Sequence, residues 1–146
     1  MDIAKYTPDT TVIIHGSTLM SVSKRKLLSA YKEVNQKDFD VHSKTLSLKE
    51  KQREAYMPAY ENAVAMMIYT DYIQESFDEI HAFMDAQVTY FEIDTPFMSE
   101  EAVIDAIRIY RMLLDEKDAS REIQAYRDKY QDKELSDGYY GQKTVK

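Results

Sequence analysis

Apolar residues recur along this chain at two periods, and the longer run sets the first expectation. Ala59, Ala63, Met66, Thr70, Ile73, Phe77, Ile80, Met84, Val88 and Phe91 step by three and four. A helix carrying that seam would last about nine turns at the usual rise. Ser47-Leu48-Lys49-Glu50 reads as a capping box that starts it, and Pro58 predicts a kink. Val88 to Ile93 is β-branched and aromatic, so the spacing predicts helix to about Val88 and then an extended exit.

The shorter period marks a strand. Thr11–His15 is apolar and β-prone and is stopped by Gly16, which makes it a candidate partner for the extended exit. Ser21 or Ser23 caps a helix with Leu27, Leu28, Tyr31 and Val34 at helical spacing. Ser99 caps another, with Glu100 and Glu101 suited to its dipole and Val103, Ile107, Tyr110 and Leu114 as its apolar stripe. At Asp118 the stripe loses phase; an N-cap or bend there leads to a new face of Ile123, Tyr126 and Tyr130. The expected fold is mainly α, with four or five helices, one of them long and kinked, and a minor β element near the N-terminus. One helical domain would cover residues 1–135, with a flexible tail over 136–146.

Composition narrows the chemistry. Three Gly and three Pro in 146 residues leave little turn chemistry and favour long helices. The absence of Cys removes disulfides, thiolate chemistry and the usual zinc clusters. No segment has the length of a signal peptide core or a membrane span. A reducing, cytoplasmic compartment or the inside of an assembled particle fits these features.

The net charge of −7 is unevenly spread. From Ser21 to Arg53 there are nine Lys/Arg and four Asp/Glu; from Glu54 to Ile107 there are twelve Asp/Glu and no Lys or Arg. Such an acidic balance argues against direct nucleic-acid binding, which runs on phosphate neutralisation. It suggests instead that the acidic stretch meets a basic surface of a partner or of another copy. On the long helix Asp71, Glu75, Asp78, His81 and Asp85 would share one face, opposite Ile73, Phe77, Ile80 and Met84. A di-iron bundle would need a second Glu-x-x-His helix, so no metal and no cofactor is expected.

Two short motifs carry resemblances. His15-Gly16-Ser17 and His42-Ser43-Lys44 resemble the paired His-x-Ser/Thr of the two-histidine phosphoesterases, which implies two imidazoles flanking a phosphate. Lys44 stands where the second hydroxyl belongs, and a strand or loop ending before a capped basic helix explains more of both motifs. Near the end, Asp137, Gly138, Gly141 and Thr144 resemble the Asp-Gly-x-x-Gly-x-x-Thr signature of peptidoglycan-binding three-helix modules, although the chain stops two residues later. Twelve Tyr and no Trp are consistent with a contact surface.

The sequence thus reads as a non-enzymatic helical interaction or assembly module, homo-oligomeric or bound to a protein partner, in the manner of a viral structural subunit. Its expected contacts are Asp71, Glu75, Asp78 and Asp85 on the acidic side and Lys24, Arg25 and Lys26 on the basic side. The alternative is an acidic inhibitor that mimics nucleic acid, and the third is a two-histidine phosphoesterase.

Overall fold

The computed structural model describes residues 9–51, 54–132 and 134–138. In chain order the elements are β1 (Thr11–Gly16), β2 (Leu19–Ser23), α1 (Leu27–Val34), β3 (Ser47–Leu48), β4 (Met57–Glu61), β5 (Met66–Tyr69), β6 (Ile73–Glu75), α2 (Ile80–Asp85), β7 (Tyr90–Asp94), α3 (Glu100–Leu114), α4 (Ser120–Lys129) and β8 (Leu135–Ser136). The fold is therefore mixed α/β, with eight strands in two sheets among the described residues, and not mainly α. The chain forms two compact units: residues up to Gly16 together with those from Tyr72 onward, and Ser17–Asp71.

In the first unit the sheet order is β7-β1-β6-β8. β1 runs parallel to β7 and antiparallel to β6, and β6 runs parallel to β8. The extended exit after Val88 is β7, and it pairs with β1 as its composition suggested. Phe91 and Ile93 pack on a core of Ile14, Phe77, Ile80, Ile109, Tyr110 and Tyr126 with their neighbours. Because side chains alternate along a strand, Tyr90, Glu92 and Asp94 lie on the face away from that core. The Ser99 side chain accepts from the Ala102 amide, so α3 starts where expected. Its buried stripe is Ala102, Ala106, Ile109, Tyr110 and Leu113. This is rotated from the expected one, and Ile107 is exposed. The Asp118 carboxylate accepts from the Ser120 amide and hydroxyl, and α4 then buries Tyr126.

In the second unit the sheet order is β2-β5-β4-β3, antiparallel throughout. The long kinked helix does not exist. Ser47–Leu48 is a strand rather than a capping box, and Pro58 lies within β4, opposite Ser47. Met57, Ala59 and Glu61 point inward and Pro58 and Tyr60 less so, a period of two. β4 turns into β5 at Asn62, whose side-chain oxygen accepts from the Val64 and Ala65 amides. The three- and four-residue steps of the supposed seam were therefore strand positions and turn positions read in one line. Only Ile80–Asp85 of that stretch is helical.

α1 shows an unusual start. Its N-cap residue Lys26 makes no side-chain cap bond. The carboxylate of Glu61, fully buried, accepts instead from the amides of Leu28 and Ser29 and from the Ser29 hydroxyl. A buried anion at a helix start satisfies amides that the helix cannot and complements the positive end of its dipole.

Of the tail motif, Asp137 and Gly138 follow β8, and Gly138 has φ +69. Gly141, Thr144 and the rest of the tail from residue 139 lie outside the described residues. No helix among the described residues is long and apolar enough to cross a membrane.

Candidate functional site

The strands β1 and β7 end side by side, with Gly16 opposite Asp94. Gly16 has φ +116, and a Cβ on it would lie 1.7 Å from the Asp94 carbonyl oxygen. Only glycine permits that approach. In α/β sheets the ends of parallel strands are where ligands gather, because loops rather than side-chain layers finish them. Asp94 stands at this edge on the face away from the core. Burial, followed by the neighbouring Glu92 carboxylate, holds its carboxyl above the usual carboxylate range.

The loop after Asp94 carries Phe97 with φ +65, a conformation that bulky residues adopt only when their surroundings enforce it. Phe97, Met98 and Ser99 line a cavity of about 220 Å³, closed by Ile73, Tyr126 and Tyr130. Ile73 precedes Gln74, the partner of Gly16, so this cavity opens at the same edge of the sheet.

Tyr126 links the cavity to a buried network. His15 Nε2 lies 2.9 Å from the Tyr126 hydroxyl, and Nδ1 lies 3.2 Å from the Tyr110 hydroxyl. The Tyr110 hydroxyl already donates to the Ile14 carbonyl and accepts from the Ser76 amide. Its one proton being committed, it must accept from His15 Nδ1–H, so Nε2 is bare and accepts from Tyr126. Burial lowers the His15 pKa to about 4, which keeps the ring neutral. The same burial raises both tyrosine hydroxyls above their usual value.

Beside them Glu75, buried on β6, accepts from Arg127 Nε and Nη2 through Oε1, while Arg127 also reaches Asp78 at 2.8 Å. Burial outweighs Arg127 and raises the Glu75 carboxyl. Glu75 Oε2 and Ser76 Oγ are buried without a hydrogen-bond partner among the described residues.

Of the expected contact residues, the structure brings together only Glu75 and Asp78, through Arg127 of the same unit. Asp85 is exposed at the end of α2, and Asp71 is half-buried in the turn before β6. Lys24, Arg25 and Lys26 are exposed between β2 and α1. His15 and His42 belong to different units. Both ring nitrogens of His15 are occupied, and His42 Nδ1 faces the Glu61 carbonyl at 2.8 Å. Sequence reasoning passed over Asp94, Tyr126 and Arg127. The available signal was the order strand, Asp-Thr-Pro, capped helix, which is a βα junction.

Comparison with known proteins bears on these assignments. The chain is 29% identical over 106 residues, 70% of its length, to "tRNA hydroxylation protein P2" of Bacillus subtilis (strain 168). The match covers 34% of that relative, so the chain spans about a third of its length. No solved structure matches. These findings overturn the reading of a non-enzymatic helical assembly module, homo-oligomeric or viral, together with its nucleic-acid-mimic and phosphoesterase alternatives. They likewise overturn the expectation of no direct nucleic-acid partner, since the relative is by its name a tRNA hydroxylation protein. The acidic stretch misled because it is four strands, the whole of α2, the first half of α3 and the loops between them, not one charged helix face. The family model described as "Peptidase family U32" matches residues 3–146, and the chain belongs to that family.

Proposed function

We propose that this chain acts in tRNA hydroxylation, with the edge where β1 and β7 end as its reaction side. The similarity to the Bacillus subtilis protein supports the reaction class. The observation that carries the site is Asp94, a half-buried carboxylate at a parallel-strand end whose pKa is raised by burial and by Glu92. A carboxyl group at a strand edge beside an open cavity can accept a hydrogen bond or a proton from a bound nucleoside, which suits a residue that orients or deprotonates it. Peptide hydrolysis through a histidine base has less support, because His15 is neutral, enclosed and bonded at both nitrogens.

The test is chromosomal replacement of Asp94 by Asn in the host. Nucleosides from digested tRNA are then quantified by mass spectrometry at matched protein levels. The hydroxylated nucleoside should fall by about tenfold or more, the scale of losing one positioned proton-transfer group. An unchanged level would overturn the assignment.

A further inference from the structure

Residues Ser17–Asp71 hold nine Lys/Arg against seven Asp/Glu, whereas the rest of the chain holds ten against nineteen. The second unit is thus the part with positive net charge. Lys24, Arg25 and Lys26 stand consecutively at its β2–α1 turn, all exposed, and none forms an ion pair among the described residues. The helix start behind them is closed to an external anion, because Glu61 already holds the Leu28 and Ser29 amides. Any attraction for phosphate there comes from the side chains.

An apolar groove of about 350 Å³ begins at the next residue. It runs between α1 and β3 and is lined by Leu27, Tyr31, Phe39, Leu46 and Leu48. Leu27 and Tyr31 are exposed, and the Lys32 ammonium lies 5.8 Å from the Phe39 ring centre. Aromatic and apolar walls headed by unpaired cations are the combination that receives single-stranded nucleic acid, with phosphates on the cations and an unstacked base on a ring.

We propose that this groove and the Lys24-Arg25-Lys26 turn bind a single-stranded segment of the tRNA substrate, with a base against Tyr31. The proposal rests on the tRNA reading above and adds a binding surface to it.

The experiment measures affinity of the full chain for deacylated Bacillus subtilis tRNA by fluorescence anisotropy across salt concentrations, with a blunt RNA duplex alongside. Lys24→Ala/Arg25→Ala/Lys26→Ala should weaken tRNA binding on the order of tenfold near physiological salt. The same variant should lower the slope of log affinity against log salt by about 2, as expected for three lost phosphate contacts on a single strand. Tyr31→Ala should weaken tRNA binding several-fold and leave the slope unchanged. The control Arg111→Ala/Lys117→Ala/Arg121→Ala removes three exposed cations of the other unit and should do neither. Circular dichroism of each variant verifies the fold.

Equal weakening by both triple variants, or preference for the duplex, would overturn the groove. Unchanged tRNA affinity in the Lys24 variant, with hydroxylation still lost in Asp94→Asn, removes this surface and leaves the tRNA reading standing. A wild-type chain that ignores tRNA but takes an acidic amphipathic peptide into the groove marks a protein-docking site instead. Absence of tRNA binding together with Asp94-independent hydroxylation removes both.

Discussion

The two units bury themselves by different means. The first closes eleven buried residues into one cluster beneath α2, α3 and α4. The second has Leu28, Ala59 and Met66, with a few half-buried neighbours. Of the large apolar side chains left exposed, Leu19, Met20, Val22, Leu27, Tyr31, Val34, Tyr56 and Val64 belong to the second unit. Among the described residues, only Tyr90, Ile104 and Ile107 belong to the first. Polar burial follows the same division. In the first unit His15 and two tyrosines satisfy one another inside a large core to which the tyrosine rings themselves belong. In the second a single carboxylate, Glu61, stands in for missing apolar packing by tying β4 to α1. Small cores depend on such ties, since little burial is available to offset chain entropy.

Three substitutions probe that contrast. The largest effect is expected from Gly16→Ala. The added methyl would overlap the Asp94 carbonyl at a φ that alanine resists, costing roughly 3–5 kcal/mol. Hydrogen exchange should show amide protection lost across β1 and β7 while the β4 and β5 amides keep theirs. Equal loss in both units would mean that they do not respond separately.

The next effect concerns acid. The folded chain holds His15 neutral down to about pH 4, whereas the unfolded chain protonates near 6.5. The associated stability is therefore complete above about pH 6.5 and is lost as pH falls toward 4, a change of about 3 kcal/mol. In urea melts, wild type should lose about this much more stability than His15→Gln between pH 6.5 and 4. Parallel pH profiles would place the titration elsewhere.

The smallest is Glu61→Ala. It should cost about 2 kcal/mol by leaving the Leu28 and Ser29 amides unmet. The loss should appear as weakened helical circular dichroism and faster exchange in α1, with the His15 network undisturbed. A neutral result would show that water replaces the carboxylate and that the second unit does not rely on it.

The elements legible in the sequence were those whose signals are local. Thr11–Gly16 is β-branched and bounded by glycine, and Ser99 with two glutamates announces α3. The stretch from Ser47 to Glu75 was illegible for a physical reason. Its strands are short, and the inward positions of β4 are Met57, Ala59 and Glu61, so a charged residue occupies a core site and hides the alternation. The reason for that glutamate lies in the amides of α1, far away in sequence. The same holds for the candidate site. Asp94 lies against Gly16 across the sheet, and Glu75 is tied to Arg127, and no spacing rule connects either pair.

The split composition of the first unit bears on synthesis. β1 leaves the ribosome before any of the strands it pairs with, and the whole second unit must be translated before β6 and β7 appear. At ordinary elongation rates β1 waits roughly 3–15 s with an apolar, hydrogen-bond-ready edge uncovered. The second unit, continuous in the chain, can complete its own pairings during that interval. The nascent chain is thus most open to chaperones, and most prone to aggregate, while the smaller-cored unit is already formed and the larger core has yet to begin.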